Sequence, residues 1–86
     1  MNISLKGKRA VVAGGSRGIG RSIALAFAAA GANVSICARG ADGLKAAAAD
    51  IGKHGVQVHW GACDLGNAAA IASYVENAAT TLGGID

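Results

Sequence analysis

The chain alternates between two kinds of apolar pattern. Residues 8–13 contain a short β-branched run in which Val11 and Val12 are apolar at successive positions. Such a run suits a strand covered on both faces. Helical spacing follows over residues 17–30, with Ile19, Ile23, Ala26, Phe27 and Ala30 predicted on the packed side. Gly31 predicts a left-handed stop. Asn33-Val34-Ser35-Ile36-Cys37-Ala38 predicts a second strand, and Arg39-Gly40-Ala41 a turn. Leu44, Ala47, Ala48 and Ile51 mark one face of a second helix, with Gly55 as its stop. Residues 56–63 predict a third strand in which Val56, Val58, Trp60 and Ala62 alternate. Asp64-Leu65-Gly66-Asn67 reads as a turn whose Asn67 caps a third helix. Ile71, Val75, Ala78 and Leu82 form that helix's predicted buried face, and Gly83-Gly84 end it. Ile85-Asp86 read as the approach to a fourth strand.

Strands and helices in strict alternation predict an α/β fold with a parallel sheet and right-handed crossovers. In a doubly wound sheet three such strands stand in the order 3-2-1, and a ligand sits beyond their carboxyl ends. Three features fall at those ends. They are the glycine-rich loop after the first strand, Arg39 after the second and Asp64 after the third.

The loop Gly14-Gly15-Ser16-Arg17-Gly18-Ile19-Gly20 places its glycines as G-x-x-x-G-x-G. The spacing differs from G-x-G-x-x-G, and no Gly-Lys-Ser/Thr follows to make a Walker loop. Strand, glycine loop and helix start in that order still form an anion site. The glycines allow close backbone approach, and the free N–H groups of the first turn point at the anion. A tight strand-to-helix turn without a ligand is the alternative that the glycines alone leave open.

Composition narrows the classes. With 86 residues, the chain has room for one small domain. Hydrophobic residues make up 52% and charged residues 15%, which excludes a disordered chain. One Phe, one Tyr and one Trp argue against stacking on nucleic-acid bases. The formal net charge is +3, and Lys6, Lys8 and Arg9 form its one cluster, read as a solvated strand entrance. The start Met1-Asn2-Ile3-Ser4-Leu5-Lys6 is too polar and short for a secretory signal, and no apolar run spans a bilayer. Cys37, Cys63, His54 and His59 have no metal-ligand spacing, so no metal is expected. These features together predict a cytoplasmic protein without nucleic-acid or membrane partners.

The glycine loop, Arg39, the Asp64-Leu65 pair and the ending Gly84-Ile85-Asp86 together resemble the short-chain dehydrogenase/reductase family, in its N-terminal cofactor-binding half. The resemblance implies a truncated Rossmann-type fold in which residues 1–86 are the first part of a single NAD(P)-binding domain. It implies that Gly14, Gly18 and Gly20 shape the loop around the pyrophosphate. Ser16 and the Ile19 N–H would bond phosphate or ribose oxygens. Asp64 would accept from the adenine amino group, and the Leu65 N–H would bond a ring nitrogen. Ala13 departs from the family's usual Thr, whose hydroxyl ties the loop to a neighbouring strand. The family's Asn-Asn-Ala-Gly stretch, catalytic Ser and Tyr-x-x-x-Lys pair are not in the sequence. Tyr74 is no substitute, because Ala78 stands four positions on, and it is read as a half-exposed packing residue.

Cofactor choice can be read from the end of the second strand. An NAD site needs a carboxylate there, whereas this chain has Ala38 followed by Arg39. Arg17 and Arg39 suit a 2′-phosphate, so NADP is expected over NAD. The expected parent is an oxidoreductase moving hydride between NADP(H) and a carbonyl or hydroxyl carbon, with a 3-oxoacyl thioester reductase among the compatible types. The alternatives are a dinucleotide-binding protein without turnover and an interaction fragment. No catalytic residue is expected within the chain, and its small-molecule substrate would meet a C-terminal half. The first strand's open edge predicts pairing with a complementary fragment or a second copy.

Overall fold

The computed structural model describes residues 4–86. Residues 1–3, part of the start read above as lacking a secretory signal, lie outside the described residues. The element order is β1 (Arg9–Ala13), α1 (Gly18–Ala29), β2 (Asn33–Ala38), α2 (Ala41–Gly52), β3 (Val58–Ala62) and α3 (Ala68–Leu82). The three strands form one parallel sheet in the succession β1-β2-β3, which is the expected 3-2-1 order read from the other edge. Arg9 lies level with Asn33, and Val34 with Val58, so all three carboxyl ends meet along one rim. No helix among the described residues is long and apolar enough to cross a membrane.

Alternation along β2 divides the interior. Val34 and Ile36 face α1 and α2, where Val12, Ala24, Ala28, Leu44, Ala47 and Ile51 complete the larger core. Cys37 faces the opposite side and packs with Cys63, Tyr74 and Ala78 against α3. Ser35 shares that second face and is fully buried.

The second helix buries the expected Leu44, Ala47 and Ile51, but the other two helices turn differently. Ile19 is 81% exposed and Ile23 also faces solvent. The buried residues of α1 are Ala24 and Ala28. They continue a stripe of small residues from Gly20 at four-residue intervals, and this narrow stripe lets the helix backbone approach the sheet closely. In α3 the expected Val75 is exposed, while Tyr74, Ala78 and Leu82 are buried. Tyr74 is therefore a core residue, not a half-exposed one. Its ring needs the space left by Gly61, where an added Cβ would stand 2.8 Å from Tyr74 Cδ1.

The helix ends follow the sequence cues. Asn67 caps α3 by accepting from the Ala70 N–H at 3.1 Å. Gly83 ends it at φ +83°, a left-handed conformation that favours glycine. The basic cluster at the strand entrance is partly engaged instead of wholly solvated. Arg9 donates from Nε to Asp86 Oδ2 at 3.1 Å and from Nη1 to the Gly83 carbonyl. The Asp86 N–H donates to the Arg9 carbonyl at 3.0 Å, so the chain's last residue begins to pair along the open edge of β1.

Candidate functional site

The site lies along the rim where the strands end. Gly14 follows β1 at φ +73°, and its N–H donates to the Cys37 carbonyl at 2.7 Å. That backbone bond ties the loop to β2 although Ala13 carries no hydroxyl. Gly15 rests on Ile36, whose Cβ would be 2.7 Å from an added methyl group. Gly20 is packed still closer: an added Cβ would overlap the Gly14 carbonyl, with the Gly14 carbonyl carbon at 2.8 Å. Gly18 has φ +62°, again a glycine conformation, but its surroundings are open. Close contact at Gly15 and Gly20 and the left-handed backbone at Gly14 and Gly18 thus fix the loop's shape.

Helix α1 starts immediately behind this loop. Arg17 is its N-cap in extended conformation, with no side-chain cap and no acidic residue in the first turn. The start therefore keeps its unpaired donors and the positive end of its dipole.

A cavity of about 520 Å³ opens between this loop and α2, lined by Gly14, Ser16, Arg17, Ala38, Arg39, Gly40 and Gly43. A second, of about 280 Å³, adjoins it beside Cys63, Asp64, Leu65 and Gly66. Gly14, Ala38 and Arg39 border both, so the two form one groove across the strand ends. The structure thus gathers Gly14, Ser16, Arg17, Arg39, Asp64 and Leu65 around the groove. Gly18, Ile19 and Gly20 do not line it: Gly20 is turned onto Gly14 and the Ile19 side chain points to solvent. Gly15, Gly40 and Gly43 were not singled out from the sequence. Two glycines three positions apart at the start of the second helix were the available signal for the latter pair.

Across the groove, Arg39 donates to Asp64 Oδ1 at 3.1 Å. The same oxygen accepts from the Gly66 N–H at 2.9 Å. Among the described residues, the lining holds two guanidinium groups and one carboxylate, with no histidine, tyrosine or lysine to exchange protons. Such a groove can hold an extended anion, and the cradle of loop glycines with an uncapped helix start behind it fits a phosphorylated nucleotide.

The polar cluster on the other face of the sheet is separate from this groove. Ser35 Oγ lies 2.8 Å from His59 Nδ1 and also bonds the Tyr74 hydroxyl. Burial pushes the Tyr74 phenol up to about 12 and holds the His59 imidazole below its ordinary value. Ser35 is inaccessible, so the trio serves packing and not nucleophilic chemistry. Cys37 and Cys63 are free, buried thiols, and burial raises the Cys37 value.

The chain is 46% identical over 82 residues to a sorbose reductase of Schizosaccharomyces pombe, an alignment covering 94% of this chain and 32% of that protein. The structure of L-sorbose reductase from Gluconobacter frateurii, complexed with NADPH and L-sorbose, superposes with a TM-score of 0.93 at 38% identity. That match covers 100% of this chain and 33% of the other. A short-chain type dehydrogenase/reductase from Mycobacterium marinum gives a TM-score of 0.91 at 38% identity, covering 96% of this chain and 34% of the other. The chain thus spans about a third of the length of the relatives it matches. Residues 8–86 match the family model described as short chain dehydrogenase. The α/β sheet, the glycine loop and these matches agree, and the chain belongs to the short chain dehydrogenase family.

Proposed function

We propose that residues 1–86 are the N-terminal, cofactor-binding part of a single Rossmann-type domain in an NADP(H)-dependent oxidoreductase. The observation that carries this reading is the larger cavity, whose lining holds Arg17, Ala38 and Arg39 and no carboxylate. Gly14, Gly18 and Gly20 shape the loop, and Ser16 and the Ile19 N–H bond phosphate or ribose oxygens. Arg17 and Arg39 grip the 2′-phosphate. Asp64 accepts from the adenine amino group, and the Leu65 N–H bonds the ring. The bound nicotinamide supplies hydride to, or takes it from, a carbonyl or hydroxyl carbon. These residues bind and orient; the proton-transferring Ser, Tyr and Lys of the family belong to a further segment of the domain.

Likeness to two sorbose reductases, one of them solved with NADPH and L-sorbose, favours a ketose substrate over a 3-oxoacyl thioester. The free thiols Cys37 and Cys63 support a cytoplasmic setting. Among the described residues β1 has one neighbouring strand, which supports pairing with a further segment or a second copy. A second reading, a dinucleotide-binding protein without turnover, draws on a lining of anion- and nucleotide-binding groups, with two guanidinium groups and one carboxylate among the described residues.

The test is exchange of cofactor preference in the intact protein. Ala38→Asp with Arg39→Ala should move affinity and turnover of ketoses from NADPH towards NADH. Unchanged preference refutes the assignment of Arg39. Dinucleotide binding without ketose reduction or polyol oxidation favours the second reading.

A further inference from the structure

A third cavity, of about 290 Å³, lies between β3 and α3 and shares no residue with the groove. From α3 it is lined by Ala70, Ser73, Tyr74 and Asn77, whose spacing places them on one helix face. From β3 it is lined by residues 59–62. That strand is a sheet edge, with β2 as its one neighbour among the described residues. The Gln57 carbonyl accepts from the Val34 N–H at 3.0 Å, and the Cys63 N–H donates to the Ala38 carbonyl at 2.8 Å. Odd-numbered residues of β3 thus pair inward, and Trp60 and Ala62 turn their N–H and C=O groups out of the sheet.

The buried Tyr74–Ser35–His59 trio sets what the imidazole offers to this cavity. Each hydroxyl carries one proton. If Tyr74 donates to Ser35 and Ser35 to His59 Nδ1, both protons meet strong acceptors. The reverse order leaves the Tyr74 proton only the Cys37 sulfur, a weak acceptor. Burial disfavours the charged imidazole, so the ring is neutral and keeps its proton on Nε2. Nε2 has no partner among the described residues, and no buried side-chain nitrogen or oxygen there lacks one, so Nε2 reaches solvent. The lining thus offers an imidazole donor, the Ser73 hydroxyl, the Asn77 amide and the outward backbone groups, with no charged side chain among them. Trp60, 37% exposed, adds aromatic surface. An ion would find no countercharge here, and an apolar molecule would strip water from polar groups without replacing it. Hydroxyl groups both donate and accept, which matches the mixture. The volume, at the lower bound of small-molecule sites, suits a single ring. We propose that the β3–α3 cavity binds a small uncharged polyhydroxyl ring, a monosaccharide in chemical class, independently of the dinucleotide groove.

The test is an NMR titration of the intact protein with methyl α-D-glucopyranoside, which is uncharged and has no free carbonyl group. Saturable, millimolar shifts should appear at the Trp60 indole N–H, the Asn77 side-chain amide and the Trp60 and Ala62 backbone N–H groups, with or without NADP present. Ser73 and Asn77 are exposed, so Ser73→Ala and Asn77→Leu leave the core intact. Each should weaken binding about three- to tenfold, the worth of one hydrogen bond. The corresponding methyl glucuronoside, the same ring with a carboxylate, should bind more weakly than the glucoside. No saturable shift at these groups, shifts confined to the strand-end groove, or an affinity unchanged in both variants overturns the site. Equal or tighter binding of the glucuronoside overturns the assignment of an uncharged ligand. Loss of dinucleotide binding with these shifts intact would refute the cofactor reading and leave this site standing.

Discussion

Replacing Gly20 by alanine adds one methyl group where α1 meets the glycine loop. The added Cβ overlaps the Gly14 carbonyl and lies 2.8 Å from its carbon and 3.3 Å from the Gly15 nitrogen. All three atoms are backbone, so no side chain can rotate away. Either α1 moves outward or the loop shifts, and overpacking of this kind costs about 1–3 kcal/mol. In a domain of this size that lowers the melting temperature by roughly 4–8 °C per kcal/mol. Gly52→Ala makes the same chemical change at the end of α2, where the new methyl group meets Val58 Cγ2 at a comfortable 3.9 Å. There alanine should stabilise by about 0.5–1 kcal/mol, because glycine is the poorer helix residue. Thermal unfolding followed by circular dichroism, with NADPH titration alongside, reads both effects. Gly20→Ala should melt lower and bind NADPH more weakly, and Gly52→Ala should melt slightly higher with unchanged affinity. A Gly20→Ala protein as stable and as tight-binding as the parent would refute the close-contact argument for the loop.

Four further outcomes follow from the charged and polar groups. His59 is held below the ordinary imidazole value of 6.5 by burial, so the unfolded chain binds its proton more tightly. Its contribution to stability is present above pH 6.5 and declines as the pH falls below it; His59→Gln should flatten that decline in urea melts. Asp86 is held below the ordinary carboxylate value by its hydrogen bonds to Arg9. That contribution is present above the ordinary value and is lost as the pH falls through the lowered one, and Arg9→Gln should remove this acid-side loss. Tyr74, the chain's one tyrosine, should ionise near pH 12 by ultraviolet difference absorbance, and a midpoint at the free-phenol value of 10.0 would contradict its burial. Tyr74→Phe leaves Ser35 its bond to His59, and should cost about 1 kcal/mol.

The order of strands and helices was legible because each element carries its own period and its own stop, from Gly31 to Gly83. So were the positions of Arg39 and Asp64, since a parallel sheet brings successive strand ends to one rim. Which helix face is buried was less legible. In α1 the bulky Ile19 and Ile23 advertise a face, yet contact goes to Gly20, Ala24 and Ala28, where small side chains permit the closest approach. The same local reading placed Val75 inside and left Tyr74 half-exposed. Tyr74 is buried because Gly61, thirteen positions earlier, leaves room for its ring and Ser35 bonds its hydroxyl. Partners so far apart in the chain leave no periodic trace. The Arg39–Asp64 pair was hidden for a related reason: each was read separately for its own ligand group, and their mutual contact depends on the β2–β3 register.

The cofactor assignment is tested most directly by the affinities of the intact parent protein for NADPH and NADH, measured under the same buffer and salt. Arg17 and Arg39 acting on a 2′-phosphate should favour NADPH by roughly a hundred-fold or more, from two charge-assisted bonds of about 1.5–3 kcal/mol each. Equal affinities for the two dinucleotides, or tighter binding of NADH, would contradict it.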